Sequence, residues 1–367
     1  MLSIMRAVTV TVGRFEESGI GNIVKNLCAN LVGRGWQVSL GVLAEKYLLT
    51  EVPLGCKVFY FTDHLAMSRL LGHLMTKPSW MSNAVGEIIH HHQSTLILKS
   101  LPFAQRKVIL HYHGANPKVH EAQEYLRVTY EARQMRKHAS KAAAIIAVSQ
   151  FAKKELQELL NVKSEIDVIH PGVDTEHYTP DLPAKYRKGN PSFLFVGTLV
   201  KKKSVNRLID AMVSVRNEHP NAFLRIIGRG RRLPDLREQI QRLGLTENVE
   251  IISSWVPRAE LPFYYASCDV YVSSSIWEGL PLPVLEAMAC GKPIVGPSGS
   301  SYQEVIEESS AGAAWNTNNL EDLPETMLRT AAQKEKYKEK ARTYALKHNW
   351  PNITEATIKV YERVLQS

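Results

Sequence analysis

Residues 277–296 read WEGLPLPVLEAMACGKPIVG, a complete turn, helix and strand in one stretch. Glu278 opens it, a tight apolar turn with Gly279, Pro281 and Pro283 follows, and VLEAMA is a run of good helix formers carrying a second carboxylate, Glu286. Gly291 stops the helix, Pro293 follows it, and IVG reads as the next buried strand. A helix entered directly from such a turn presents unpaired N–H groups and the positive end of its dipole, about half a unit charge, to whatever lies in front of it. That predicts an anion site. One carboxylate stands before the helix start and the other about one turn inside it, so both are placed to accept hydrogen bonds from a ligand whose phosphates rest on the terminus. A nucleotide sugar, with phosphates between two hydroxyl-bearing rings, has both features.

Working outward, 367 residues predict two domains, because a single core seldom grows past about 250–300 residues. The 44% hydrophobic and 22% charged composition is that of an ordinary globular chain. Cys28, Cys56, Cys268 and Cys290 are scattered, with no C-x-x-C pair, and read as reduced core residues of a cytoplasmic protein. The N-terminal MLSIMRAVTVTVGRF has a short apolar run but no small-residue cleavage site, so it reads as a first strand rather than a signal peptide. No apolar run approaches the roughly 20 residues of a membrane span. A formal charge of +9 favours acidic partners. Nucleic acid is not among those expected, since no zinc spacing, aromatic RNA-binding signature or recognition helix accompanies the charge. Part of the excess is local, in Lys99, Arg106, Lys107, Lys118, Arg127, Arg133, Arg136, Lys137 and Lys141. It suits either a solvated face or peripheral contact with an anionic membrane at its inner surface.

Upstream, AVTVTVG (7–13) reads as a buried parallel strand ended by Gly. A loop with Gly19 and Gly21 and a helix with Ile23, Val24, Leu27, Cys28 and Leu31 on one face lead to the strand WQVSLGVL, completing a βαβ unit. Small residues there admit either a close-lying diphosphate or simply a tight turn. CKVFYFT (56–62) is a third strand, and the irregular apolar segment 64–85 fits a core helix and loop better than a surface helix. GEIIHHHQS (86–94) and KVILHYHGA (107–115) are strands opening into histidine-bearing loops, where open α/β sheets place ligands. His90 with His92, and His111 with His113, alternate at metal-ligand spacing. A metal is nevertheless the lesser reading, and no D-x-D pair occurs in the chain. A basic helix over about 119–142 precedes AAIIAVSQFAKKEL, with Ser149 as N-cap. The polar TPDLPAKYRKGNPS, with three prolines, is the best boundary. Beyond it strand and helix alternate again, predicting a second doubly wound sheet.

Glu278 and Glu286, with seven residues between them, followed by AMACGKPIV, resemble the E-x7-E element of retaining glycosyltransferases of the GT-B fold, family 4. The resemblance spans nearly the full chain. It implies two Rossmann-like doubly wound parallel-sheet domains facing across a cleft: residues 1–178 on the acceptor side, a linker over 179–190, a donor domain over 191–348, and a final helix over 349–367 crossing back to the first. By resemblance Glu278 contacts the donor sugar, Gly279, Leu280, Pro281 and Leu282 surround sugar and phosphate, and Glu286 holds the ribose, although Pro281 offers no N–H. Gly197 with Lys203, and Lys202 beside it, match the diphosphate loop, where Thr198 replaces an Arg and Ser204 a Gly; an exposed loop is the plainer reading of the three lysines. Gly228 and Gly230 match the glycines near the base, Trp255 and Val256 the segment that contacts it, and Gly19 and Gly21 the Gly-rich N-terminal loop. His113 matches the histidine beside the donor sugar, and His92 falls on the acceptor side.

The implied activity is transfer of a sugar from a UDP-, GDP- or ADP-linked donor to a carbohydrate or lipid-linked acceptor hydroxyl with retention. It needs neither metal nor cofactor, and its setting is polysaccharide, lipopolysaccharide or glycolipid assembly. Two other classes share the pattern: a nucleotide-sugar epimerase, and a non-catalytic binding partner with a decayed site.

Overall fold

Among the described residues, short runs rich in β-branched and aromatic residues, most of them buried, alternate with helices, which is the pattern of parallel sheets covered by helices. The computed structural model describes residues 6–13, 15, 19–43, 48, 51–61, 78–92, 95–114 and 122–367. Among these, the chain divides into two compact units, one of residues up to 172 together with 350–367, the other of residues 173–349.

In the first unit the strands are β1 (Ala7–Val12), β2 (Gln37–Val42), β3 (Cys56–Tyr60), β4 (Ile88–His92), β5 (Lys107–Tyr112), β6 (Ala144–Ala147) and β7 (Asp167–Val168). The helices before the unit boundary are α1 (Gly19–Gly33), α2 (Thr95–Leu98), α3 (Ala122–Ala139) and α4 (Gln150–Glu158). The strands lie parallel in the order β3-β2-β1-β4-β5-β6-β7, so the order reverses between β1 and β4. The loop expected at Gly19 and Gly21 is instead the first turn of α1, with Gly21 buried and Gly19 open to solvent. The apolar segment 64–85 lies outside the described residues as far as 77. From there a 3-10 turn, Pro78–Asn83, tucks Trp80 against Phe59 and Phe61 at ring separations of 6.0 and 4.9 Å. Ser149 caps α4 as expected, accepting from the Ala152 N–H at 3.0 Å.

The second unit runs β8 (Ser192–Val196), α5 (Val205–Glu218), β9 (Phe223–Ile227), α6 (Leu233–Arg242), β10 (Val249–Ile252), α7 (Leu261–Ala266), β11 (Val270–Val272) and α8 (Leu282–Ala289). It continues with β12 (Ile294–Pro297), α9 (Ser301–Ser309), β13 (Gly312–Trp315), α10 (Asp322–Ala332) and α11 (Lys334–Lys347). Its parallel sheet has the order β10-β9-β8-β11-β12-β13 and reverses between β8 and β11. Phe193, Phe195, Leu208, Met212, Leu224, Trp315 and Met327 form much of the core on the α5–α10 face. The segment read as a linker packs onto this unit. Arg187 makes two hydrogen bonds of 2.7 Å to Asp269, and Tyr186 stacks on Tyr264 at 4.1 Å. Paired charges and stacked rings hold this stretch against the second unit.

The last helix, α12 (Trp350–Gln366), belongs to the first unit because its stripe Thr354, Thr357, Ile358, Tyr361 and Val364 is buried there at i, i+3, i+4 spacing. Tyr361 meets Trp36 edge-on at 5.4 Å. No helix among the described residues is long and apolar enough to cross a membrane.

Candidate functional site

The reversal between β8 and β11 is where an open α/β sheet leaves a crevice at its strand ends, and the loops following these strands carry the lysines and glutamates singled out above. After β8, residues Lys201–Lys203 form a 3-10 turn with Lys201 exposed and Lys202 and Lys203 half-buried. After β11, the buried serines 273–275 lead into Trp277 and Glu278. Backbone and hydroxyl contacts lock the two loops together. The Ile276 N–H donates to the Lys202 carbonyl at 2.7 Å, and Ser274 Oγ donates to the carbonyls of Lys203 and Ser204 at 3.2 and 2.8 Å. Ser204 sits at φ 46°, left-handed backbone that explains the glycine the family places there, and its carbonyl is held by that serine.

This lock brings the Lys203 ammonium onto the Glu278 carboxylate, a direct ion pair between side chains only 12% and 11% exposed. Burial pushes the Glu278 carboxyl up, but Lys203, Lys202 and Ser275 together outweigh it and hold it below the usual carboxylate range. Lys202 lies over the Trp277 ring at 5.6 Å. Ser301 Oγ donates to the Glu278 carbonyl at 3.0 Å, fixing the backbone from the start of α9.

Pro281 caps α8 without a side-chain bond and Pro283 follows inside the first turn, so the terminus is poorer in donors than its position suggests. The Val284 N–H already donates to the Pro281 carbonyl at 3.1 Å, which leaves that of Leu282 in the first turn. Charge at this site therefore rests chiefly on the two lysines. One turn on, Glu286 is buried and accepts from Tyr265 Oη at 2.7 Å, with Arg258 at 3.8 Å. Burial raises its carboxyl above the usual range, with Arg258 and the hydroxyls of Tyr265 and Tyr178 opposing. The two carboxylates are thus driven in opposite directions, Glu278 down by its lysines and Glu286 up by burial. Tyr265 and Arg258 were not legible as partners in the sequence. They lie 21 and 28 residues before Glu286, on another helix and loop, and no periodicity links them.

The glycines separate into two kinds. A Cβ on Gly228 would lie 1.8 Å from the Gly197 carbonyl oxygen, and one on Gly230 would lie 2.2 Å from that of Leu199. Both are demanded by the approach of the β8 and β9 loops to each other, whatever else binds nearby. At Gly197 itself the nearest atom is Phe195 Cζ, 3.1 Å away. Trp255 is 55% exposed with the Arg229 guanidinium over its ring at 5.7 Å, and Val256 next to it is half-buried.

In the first unit, His90 and His92 share one face of β4 and His92 pairs in register with His111. His92 Nδ1 lies 3.0 Å from His113 Nε2. Burial, then neighbouring imidazoles, push His90 and His113 down to about 3, so both rings are neutral.

Two parallel sheets, each reversing its strand order as described and covered by helices, define a doubly wound α/β fold in each unit. The chain belongs to the GT-B glycosyltransferases of the group 1 family: residues 181–348 match Glycosyl transferases group 1, and 18–177 match Glycosyltransferase Family 4. It is 27% identical to O-antigen chain mannosyltransferase B of Escherichia coli over 64% of this chain and 65% of that one. It is 29% identical to the GDP-mannose-dependent alpha-(1-6)-phosphatidylinositol monomannoside mannosyltransferase of Mycolicibacterium smegmatis over 47% of this chain and 49% of that one. The matches thus span less than two thirds of these relatives. In fold it is similar to sucrose-phosphate synthase from Thermosynechococcus elongatus, with TM-score 0.79, 18% identity and coverage of 98% and 99%. It is also similar to Anabaena Alr3699/HepE, solved with UDP and glucose, with TM-score 0.74, 18% identity and coverage of 98% and 100%.

Proposed function

We propose that this glycosyltransferase moves a sugar from a nucleotide-sugar donor to an acceptor hydroxyl with retention, in polysaccharide, lipopolysaccharide or glycolipid assembly. The observation that carries the reading is the buried Lys203–Glu278 pair at the entrance of α8 with Glu286 one turn inside. In this reading Lys203 and Lys202 neutralise the leaving diphosphate electrostatically, and no metal takes part. The bond from the anomeric carbon to the diphosphate breaks, the acceptor oxygen bonds to that carbon on the same face, and its proton passes to the departing phosphate oxygen. Glu278 and Glu286 accept hydrogen bonds from sugar and ribose hydroxyls. Gly279, Leu280 and Leu282 border the phosphates; Trp255, Val256 and the Gly228–Gly230 loop border the base.

The test is a panel of UDP-, GDP- and ADP-sugars, beginning with GDP-mannose and UDP-glucose because the relatives' names and the solved complexes mention them, run in EDTA. One donor is expected to raise the thermal midpoint and to be turned over slowly to nucleoside diphosphate, and Glu286→Ala abolishes both. Conversion of the donor to its epimer would replace this reading with an isomerase, and absence of binding across the panel would remove catalysis altogether.

Membrane contact is the second part of the proposal. On α3, the exposed Tyr125, Leu126 and Tyr130 lie with Arg133, Arg136 and Lys137, and Lys99 sits over the Tyr130 ring at 4.8 Å. Aromatic and apolar groups beside cations suit an anionic headgroup layer. The protein is expected to sediment with phosphatidylglycerol vesicles and not with phosphatidylcholine ones. Arg133→Glu with Arg136→Glu releases it; retention by neutral vesicles at high salt sinks the idea.

A further inference from the structure

The four histidines of β4 and β5 do more than fill space. His90, His92 and His111 are 0%, 0% and 6% exposed, and one ring nitrogen from each lies within 4.8 Å of the other two. Their bonds form a chain. His90 Nδ1 is 2.7 Å from Tyr361 Oη, His90 Nε2 is 3.1 Å from His111 Nδ1, and His92 Nδ1 is 3.0 Å from His113 Nε2. After these are counted, Nε2 of His92 and Nε2 of His111 are both buried with no hydrogen-bond partner.

Two buried orphan nitrogens in one cluster require an explanation, since buried polar atoms are nearly always satisfied. Suppose each Nδ1–H donates along the chain, from His111 to His90, from His90 to Tyr361 and from His92 to His113. Both orphans then carry bare lone pairs. With the opposite tautomers both carry N–H groups aimed at no acceptor. The first arrangement is the one that suits a cation, since a metal ion takes lone pairs from neutral imidazoles.

We propose that His92 and His111, through their Nε2 atoms, form a binding site for one divalent late first-row transition metal ion, of the zinc or cobalt type, within the first unit, with His90 holding His111 in the ligating tautomer. An all-imidazole set favours zinc, cobalt, nickel or copper, whereas magnesium and calcium need oxygen ligands. His90 Nε2, accepting from His111 Nδ1 at 3.1 Å, is the outer partner that orients a ligating imidazole, and Tyr361 Oη in turn lies 2.7 Å from His90 Nδ1. Half-buried His113 has its ring 4.6 Å from that of His111. The site joins β4, β5 and α12, so occupancy raises the stability of this unit independently of the transfer reaction proposed above.

The test uses the full chain without a histidine tag, stripped with a chelator and titrated with Co²⁺. The expected result is one equivalent bound per chain with the intense visible absorption of tetrahedral cobalt, displaced by Zn²⁺ and untouched by Mg²⁺. His92→Asn and His111→Asn lose the band. Tyr361→Phe, which keeps all three rings, weakens affinity by about 10–100-fold. Absence of the band in the wild type, or uptake unchanged in His92→Asn and His111→Asn, overturns the site; should either variant fail to fold, the wild-type titration and Tyr361→Phe decide alone.

Discussion

Lys203→Ala lowers kcat for sugar transfer by about 10²–10³-fold, an effect of about 2.7–4 kcal/mol on the barrier, the range found when a preorganised charge-stabilising group is removed. The expectation rests on where the structure puts this ammonium. It is nearly buried, it meets the Glu278 carboxylate, and its backbone carbonyl is pinned by Ser274. A charge held this way needs no reorganisation when negative charge grows on the leaving diphosphate. Lys202 sits over Trp277 rather than on a carboxylate, so Lys202→Ala is expected to cost about tenfold less. The alanine at 203 also leaves Glu278 buried without its ion partner, which costs up to about 3–5 kcal/mol of stability. Pairing it with Glu278→Gln separates the effects: the double variant recovers stability and not turnover. Steady-state kinetics with donor varied, beside urea unfolding, reads both. A Lys203→Ala enzyme within a factor of three of wild type would remove the lysine from the chemistry.

Gly228→Ala is expected to destabilise the second unit by more than about 3 kcal/mol, lowering its thermal midpoint by roughly 6–12 °C. The added Cβ would lie 1.8 Å from the Gly197 carbonyl oxygen, and that atom is backbone. Neither strand end has slack, because the Gly197 N–H donates to the Ile227 carbonyl and the Gly228 N–H to that of Ile252, both at 3.0 Å. Relief therefore means parting β8 from β9, and with them the loop that carries Lys203. Gly19→Ala is the control. A Cβ there meets nothing within 4 Å and the residue is helical, so the substitution is expected to be neutral or to stabilise by up to about 1 kcal/mol. Equal midpoints for the two variants would contradict the steric account.

The same contrast runs through the molecule. Gly291 was readable as a helix stop and adopts φ 70° at the end of α8, because the left-handed C-terminal position is a local property of four or five residues. Gly228 and Gly230 matched a pattern near a base, yet the atoms that exclude a side chain there belong to a loop about 30 residues away. The prolines of 179–192 marked a boundary, and it is Asp269, some 80 residues on, that holds the stretch through Arg187 and the Ser192 N–H.

From the residues alone came the two doubly wound sheets, the turn–helix–strand of 277–296, and the two carboxylates flanking the start of α8. These follow from hydrophobic period and from turn and cap chemistry, which act over a few residues and are written in consecutive letters. Only the tertiary structure decided that Lys203 meets Glu278, that Tyr265 and Arg258 attend Glu286, that the lysine turn hangs on Ser274, and that Tyr361 from the last helix closes the histidine cluster. Those partners are separated by 21 to 271 residues, and such pairing is set by which strand ends the sheet order brings together.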